Sequence, residues 1–343
     1  MSGGACETAE TTGQRRSPRP GRRLLFTLLI GGVCAGLLWL VAPPGAVLDQ
    51  VGEMRLTWVV AAVGLELASC LGYVFVFRRL FPEPAGSRAR QLAWIGMGAG
   101  AVLPGGNFCS AAATGWLLRR SGLTRHQLLT RCATLVSLFI AVNLAAAVTF
   151  GLLLLGRLAP GPHDLEHTAL PTAVCAGLLL LMWACGALIR RRGDRAPRAL
   201  RAVGEGIDGA WTAIGGAHWR LLGAAAYVCF DMAALWAACS ATGHPVGFPA
   251  VVLAYEIGYL ATLIPMPAGV GVLDAGLASS LALYGARPAA AVGAVLVYHA
   301  VAIWVPGLGG LAAWLPGRRE RRGPAEAVGI GILVGASEPS RVV

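Results

Sequence analysis

Six polar side chains stand inside stretches of sequence that are otherwise apolar. They are Glu66, Asn143, Asp231, Glu256, Asp274 and His299. A charged group in hydrocarbon is costly, so such residues usually face the interior of a helix bundle and often serve function. We expect the last three, Glu256, Asp274 and His299, to form a shared cluster. The alternative is that each carboxyl is protonated, or hydrogen bonded to a neighbouring helix for structural reasons.

One stretch matches the sequence pattern of a metal site. His163-Asp164-Leu165-Glu166-His167 matches the HxxEH pattern of a zinc peptidase family. That chemistry needs a helix that presents both histidines to one metal ion. Because Pro160, Pro162 and Pro171 surround the stretch, we interpret it as a solvated loop and predict no metal ion or other cofactor.

The composition is that of an integral membrane protein. The 343 residues are 56% hydrophobic and 13% charged, with a mean hydropathy of +0.65, whereas soluble domains carry about a quarter charged residues. The net charge of +11 comes from arginine, since the sequence contains no lysine. The arginines fall in short clusters between apolar runs, as in cytoplasmic loops, so nothing in this charge indicates a nucleic-acid partner.

Apolar runs define the predicted membrane spans. A helix needs about 20 residues to cross the hydrocarbon core, and six runs satisfy this: 24–42, 58–77, 133–155, 169–189, 221–241 and 290–315. Two further apolar regions, 91–118 and 249–285, are interrupted near their centres. The interruptions are Pro104-Gly105-Gly106-Asn107 and Pro265-Met266-Pro267-Ala268-Gly269.

Arginine clusters flank the first interrupted region on both sides, at 78–90 and 119–131. Because cytoplasmic loops carry an excess of arginine, both flanks belong on the cytoplasmic side, and we predict a re-entrant helical hairpin. The same reasoning places loop 43–57 outside and the arginine-rich loop 190–201 inside. It also predicts that 249–285 forms a second hairpin, which enters the membrane from the outer face. We therefore expect a multi-pass protein of the cell membrane with both termini in the cytoplasm.

The two halves of the chain repeat at an offset of 163 residues. Pro104 then falls on Pro267, Gly106 on Gly269, Ala112 on Ala275 and Gly122 on Gly285. We predict an all-α, polytopic fold of six full spans and two re-entrant hairpins in an inverted repeat. The single transmembrane domain covers 24–315, with repeat A at 24–158 and repeat B at 169–315. A disordered basic tail, 1–23, precedes it, and a cytoplasmic tail, 316–343, follows it.

The interrupted segments predict a binding site. Non-helical backbone at membrane depth is tolerated where it faces protein or a water-filled cavity, and paired broken helices are typical of transporters that bind substrate near the midplane. Free N–H groups at helix starts favour an anion, and glycines let the backbone approach it. The alternative is that the breaks are loop tips or packing kinks. The predicted substrate-binding residues are Pro104, Gly105, Gly106, Asn107, Glu256, Pro267, Gly269, Gly271, Asp274 and His299.

The segment 264–315 resembles the C-terminal signature of the lysylphosphatidylglycerol synthase transmembrane family, whose members are also described as flippase-like. The family pattern is roughly P-x-G-G-[IV]-G-x-x-E-A, then L-x-x-x-G, then A-x-x-x-x-x-Y-R. It is matched or nearly matched by Pro267, Gly269, Gly271, Asp274, Ala275, Gly285, Ala291 and Tyr298. The segment that contains Pro104, Gly106, Arg119, Arg120 and Gly122 resembles the first-half motif, and the resemblance extends over about 24–315.

The sequence departs from that pattern at charged positions. Asp274 stands where the family usually has glutamate, His299 where arginine usually follows the tyrosine, and Ala111 where the first-half motif often has arginine. In full-length synthases a soluble aminoacyl-transfer domain follows the membrane region. Since the residues after the last predicted span are too few for such a domain, we expect no enzymatic activity of this chain alone.

Two functions are consistent with the resemblance. The first is a flippase-like protein that translocates or binds a polar-headgroup lipid in a midplane cavity between the hairpins, with membrane lipids as its partners. The alternative is a non-catalytic membrane subunit that anchors or regulates a separately encoded lipid- or glycan-modifying enzyme, which the arginine-rich loop 190–201 would dock.

Overall fold

The computed structural model describes residues 44–82, 86–102, 106–118, 122–162, 164–216, 219–260 and 272–322. Within these ranges the chain is helical and contains no β-strand. A short π-helical segment, Leu165–Ala169, precedes α6, and a 3₁₀ turn, Gly193–Arg195, follows it. The helices are α1 Pro44–Gly52, α2 Leu56–Leu80, α3 Gly86–Val102, α4 Gly106–Leu117, α5 Arg125–Leu155, α6 Leu170–Arg192, α7 Arg198–Gly215, α8 Trp219–Ala241, α9 Phe248–Leu260, α10 Val272–Leu283 and α11 Pro288–Arg322.

Five segments in the described part of the chain are long and apolar enough to cross a membrane. They are Leu56–Leu80, Arg125–Leu155, Leu165–Arg192, Leu222–Ala241 and Pro288–Leu315. They coincide in order with five of the six predicted spans, so the predicted all-α, multi-pass membrane class is confirmed. The remaining predicted span, 24–42, lies outside the described residues.

α2 and α8 cross with their backbones in contact. A Cβ atom at Gly72 would lie 2.7 Å from the amide nitrogen of Tyr227 and 2.8 Å from the carbonyl oxygen of Gly223. The amide of Arg55, at the start of α2, donates a hydrogen bond of 3.0 Å to the carbonyl of Ala241, the last residue of α8. The two helices are therefore antiparallel. Small residues permit this close approach, which is the usual source of helix association in membranes.

α3 and α11 meet in the same manner. A Cβ at Gly98 would lie 3.1 Å from the Cα of Gly310 and 2.9 Å from the carbonyl oxygen of Pro306. The side-chain amide of Gln91 donates a 2.5 Å hydrogen bond to the carbonyl of Ala313. Because Gln91 lies before Gly98 while Ala313 lies after Gly310, α3 and α11 are also antiparallel.

Two pairs of short helices stand on either side of the predicted breaks. α3 packs on α4 through Gly96, whose Cβ position lies 2.7 Å from Thr114 Oγ1, and α9 packs on α10 through Gly258, whose Cβ position lies 2.5 Å from Leu277 Cδ2. These four helices have 12 to 17 residues, or about 18–26 Å, against a hydrocarbon core of about 30 Å. The connecting residues 103–105 and 261–271 lie outside the described residues.

Hydrogen bonds near the helix ends identify the two ends of the bundle. At one end the side-chain amide of Gln50 donates a 3.1 Å hydrogen bond to the carbonyl of Thr242. At the other end the hydroxyl of Thr130 donates a 3.2 Å hydrogen bond to Glu205. The second end also holds the basic last turns of two long helices: Arg78 and Arg79 of α2, and Arg190, Arg191 and Arg192 of α6.

Two helices occupy segments that the sequence analysis treats as loops. α7 includes Arg198 and Arg201 and buries a face of small residues; the Cβ position of Gly206 lies 2.4 Å from the Cβ of Ala133 on α5. α1 lies in the predicted loop 43–57 and packs against α11. No helix was predicted at either position from the sequence. Both helices are too polar or too short for a search based on long apolar runs.

The α2–α8 crossing makes a testable prediction about two glycines of one helix. Replacing Gly72 with Ala puts a methyl group onto backbone atoms that cannot rotate away, so we expect a loss of about 1–3 kcal/mol of stability. Gly64, also in α2, has no atom within 4 Å of its Cβ position, so Gly64→Ala should be neutral or stabilise the helix by up to about 1 kcal/mol. Size-exclusion chromatography after heating in detergent measures both effects, and equal melting temperatures for the two variants would contradict the crossing.

Candidate functional site

Asp274 and His299 form a buried pair between α10 and α11. Asp274 lies in the first turn of α10, and His299 lies within α11, with the Nδ1 atom of His299 2.7 Å from Asp274 Oδ1. Their side chains are only 9% and 13% exposed. The structure therefore brings together two of the three residues that the sequence predicts as a cluster.

The second ring nitrogen of the histidine in this pair is available for a hydrogen bond. His299 Nε2 is buried and has no hydrogen-bond partner among the described residues. A buried polar nitrogen without a partner costs free energy, and such atoms are usually paired with water or ligand. The contact thus places a carboxylate beside the imidazole ring, while Nε2 can engage a further group.

Glu256, the third predicted member of the cluster, has a different environment. It lies in α9 and is 4% exposed. Its carboxyl accepts a hydrogen bond from Asn143 of α5, and its Oε1 atom has no partner in the described part of the chain. The structure thus connects Glu256 with Asn143, another polar residue that the sequence analysis singled out.

Glu256 also lines a cavity of about 290 Å³. The walls are mostly apolar and include Val174 of α6 and Leu283 of α10, while Glu166 and His167 of the π-helical segment contribute polar groups. The volume lies just below the range of about 300–1,000 Å³ that is common for small-molecule sites. The cavity is thus suited to an apolar group that carries a hydrogen-bond donor for Glu256.

The predicted glycine and proline residues lie mostly outside the described residues. This applies to Pro104, Gly105, Pro267, Gly269 and Gly271. The remaining two predicted residues open a helix, since α4 begins at Gly106 and continues through Asn107. The binding role of all seven therefore stays a prediction.

The HxxEH stretch lies at the end of the bundle that holds Gln50 and Thr242. His163 lies outside the described residues, whereas His167 pairs with Asp164 within the stretch. The hydroxyl of Tyr284 donates a hydrogen bond to the backbone carbonyl of His167. This contact attaches the π-helical segment to the end of α10.

A second polar cluster lies beside the α2–α8 crossing. The carboxyls of Glu66 and Asp231 are within hydrogen-bonding reach of each other. Tyr298 of α11 donates a 2.8 Å hydrogen bond to Asp231 Oδ1, and Tyr255 of α9 donates one to Oδ2. The sequence analysis singled out both carboxyls and did not predict their tyrosine partners. A usable signal existed, because each tyrosine immediately precedes a predicted site residue, Glu256 or His299.

The comparison with protein families gives one match. The model described as the lysylphosphatidylglycerol synthase TM region matches residues 24–310, which include every described residue of both polar clusters. A comparison with curated protein sequences gives no match.

The buried Asp274–His299 pair should show strong energetic coupling. Replacing either residue alone with Ala leaves a buried polar partner, which costs about 3–5 kcal/mol when both partners are charged. The double variant should therefore lose at least about 1 kcal/mol less than the sum of the single variants.

Thermal unfolding in detergent measures this difference. The exposed pair His126–Glu205, 3.6 Å apart with side chains 40% and 44% exposed, is the matched control and should be additive within about 0.5 kcal/mol. Additivity at Asp274 and His299 as well would contradict the pairing.

Proposed function

The chain belongs to the lysylphosphatidylglycerol synthase TM region family, and from this premise we propose that it is a flippase-like membrane protein. It binds a lipid with a polar headgroup and moves it between leaflets, through a cavity at which the two pairs of short helices meet. The observation that carries the proposal is the buried Asp274–His299 pair, whose aspartate stands in the first turn of the helix after the second predicted break.

An inverted repeat is part of this proposal, and the helix boundaries support it. α2 and α8 begin 163 residues apart, α3 and α9 begin 162 apart, and α5 and α11 again begin 163 apart. The turns before α5 and α11 contain Gly122 and Gly285, also 163 apart, and both glycines have positive φ angles, +81° and +94°. A shared offset in helices and turns is expected if the halves descend from one repeated unit.

The contacts between helices also repeat when each helix is replaced by its counterpart in the other half. α3 packs on α11, and their counterparts α9 and α5 also pack on each other. Gly96 meets Thr114 in the first pair of short helices, while Gly258 meets Leu277 in the second; Thr114 and Leu277 are 163 residues apart. α1 packs on α11 as α7 packs on α5.

The depth of α3 supports a re-entrant hairpin. Val102, the last residue of α3, contacts Gly307 of α11. Gly307 lies eight residues before Leu315, the end of the apolar span, which places it about 12 Å inside that end. A helix that stops there leaves its final carbonyl groups at membrane depth, where protein or a lined cavity must satisfy them.

Polar groups of both halves would receive the lipid headgroup. In the second half these are Asp274, His299 and the backbone of Gly269 and Gly271; in the first half they are Pro104, Gly105, Gly106 and Asn107. Glu256 would contact the lipid from the cavity between α6 and α9. The chain acts without catalysing a covalent reaction, and the arginine-rich end of the bundle faces the cytoplasm of the cell, as the distribution of charge favours.

Lipid movement in vesicles tests the function. The purified protein is reconstituted with phosphatidylethanolamine, phosphatidylglycerol and a trace of tail-labelled phosphatidylglycerol, and dithionite bleaching reports the accessible leaflet. We expect faster exchange than in protein-free vesicles and at least about a tenfold loss in Asp274→Asn, because a transition-specific contact of about 1.4 kcal/mol has that effect.

The matched control for this experiment is Asp49→Asn. Asp49 lies in α1 and is exposed, so its removal should leave exchange unchanged. Exchange no faster than in protein-free vesicles would contradict the proposal and favour an anchoring subunit, whereas equal exchange in both variants would remove Asp274 from the pathway.

Side-specific labelling tests the hairpin. Single cysteines at Arg90, in the first turns of α3, and at Arg125, the first residue of α5 after α4, are introduced after the nine native cysteines are replaced. Both should react with a membrane-impermeant maleimide from the same side of the bilayer. A cysteine at Glu53, between α1 and α2, should react from the opposite side. Labelling of Arg90→Cys and Arg125→Cys from different sides would show that this region crosses the membrane once, against the proposal.

A further inference from the structure

The Glu66–Asp231 cluster has no part in the lipid pathway described above. It lies where α2 of the first half crosses α8 of the second, and it accepts hydrogen bonds from tyrosines of α9 and α11 and from the Cys70 thiol of α2. Glu66 is 5% exposed. Four helices therefore converge on one pair of carboxyls.

The short distance between the carboxyls of Glu66 and Asp231 requires that the two groups share a proton. Two ionised carboxylates at hydrogen-bonding distance in a membrane interior repel each other, and such a pair retains one proton between them. Both oxygens of Asp231 accept tyrosine hydroxyls, which favours the anion on that residue. The proton therefore belongs to Glu66, which donates it to Asp231.

The second oxygen of Glu66 agrees with this assignment. Glu66 Oε2 is buried and has no hydrogen-bond partner among the described residues. An ionised carboxylate would leave a charged oxygen unsatisfied at high cost, whereas the carbonyl oxygen of a protonated acid costs much less. The other oxygen, Oε1, accepts only the Cys70 thiol among the hydrogen bonds of the described residues, at 3.8 Å, and a thiol is too weak a donor to compensate a full negative charge on Glu66.

The two tyrosines connect this pair to the lipid site. Tyr255 is adjacent in sequence to Glu256, and Tyr298 is adjacent to His299, whose ring contacts Asp274. A lipid that displaces α9 or α11 would withdraw one or both hydroxyls from Asp231. The anion would then lose its donors and bind a second proton from water, and it would return that proton to water when the helices move back.

We propose that the Glu66–Asp231 pair is the proton-binding site that couples lipid translocation to a proton gradient. One proton enters from the water on one face and leaves to the water on the other, with no oxidation or reduction. The proposal rests on the function proposed above, because it supplies the driving force for that movement. The ligand is the proton, and its site lies apart from the headgroup contacts.

Among the described residues, the other titratable groups around the pair are thiols and phenols, apart from Glu256 farther along α9. They are Cys70 and Tyr73 of α2, Tyr227 of α8, Tyr259 of α9 and, behind Tyr73, Cys132 of α5. In water such groups titrate at about 8.5 and about 10. Carboxyls are more acidic than either kind of group, so Glu66 and Asp231 are the members of this cluster best suited to exchange a proton.

Infrared spectroscopy tests the bound proton without any lipid assay. The protein in lipid at neutral pH should show the carbonyl stretch of a protonated carboxylic acid, and Glu66→Gln, which keeps the shape and the hydrogen bond to Asp231, should lose intensity there. Glu53→Gln, in an exposed turn, should leave the band unchanged. A band unaffected by Glu66→Gln would overturn the placement of the proton.

A pH gradient across the vesicles tests the coupling. With one proton per lipid, a gradient of about one pH unit drives at most about a tenfold asymmetry of labelled phosphatidylglycerol between the leaflets. We expect an asymmetry that a protonophore collapses, that is absent in Glu66→Gln and that persists in Glu53→Gln.

The outcomes separate the two proposals. Lipid exchange that ignores the gradient, or a Glu66→Gln variant that responds to it like the unaltered protein, would overturn proton coupling alone. An absence of exchange in the unaltered protein would overturn coupling together with the lipid function, while the infrared band would still decide whether Glu66 holds a proton.

Discussion

A backbone N–H or C=O group in hydrocarbon has no water to bond with, and the arrangement of this chain depends on that constraint. The five long helices are long and apolar enough to cross the bilayer, and most of their backbone groups bond within the helix. The four short helices are shorter than the hydrocarbon core, and two of them pack along long helices: α3 against α11, and α9 against α5. Glycine contacts such as Gly98 with Gly310 bring the protein backbone close enough to exclude lipid.

Buried polar side chains also obtain their hydrogen-bond and charge partners from within the protein. Asp274 has His299, Glu256 has Asn143, and Asp231 has two tyrosine hydroxyls and Glu66. Every one of these contacts joins residues of different helices. Buried polar groups that depend on one another in this way fix how the helices are placed. They also make the helix positions sensitive to any ligand or proton that changes one partner, which is the physical basis of the transport proposals.

Hydropathy was sufficient to predict the long helices and the positions of the interruptions, because both depend on residue type along the chain. α4 begins at Gly106, within the predicted break, and α9 ends at Leu260, shortly before the second one. α1 and α7 were missed, since α7 presents only a narrow face of small residues and α1 has nine residues. Amphipathic periodicity in 198–215 would have been the signal to use.

The partners of buried polar side chains were harder to predict than the burial of those side chains. Sequence spacing places Asp274 and His299 on neighbouring elements, and they do meet, but the separation of Glu256 from that pair depends on how α9 is rotated against α5. The contact between Glu66 and Asp231 depends in turn on the depth at which α2 and α8 cross. Both quantities arise from close packing around glycines such as Gly72, which no single stretch of sequence specifies.

The contact of α3 with α11 has a mechanical consequence. Where Gly98 meets Gly310 and the Pro306 carbonyl, no rotatable side chain separates the two backbones, so neither helix can tilt without carrying the other. Proline at 306 also removes one backbone hydrogen bond within α11, between its polar segment at Tyr298 and its basic end. We therefore expect the two helices to move together, with one weaker point in α11 at Pro306.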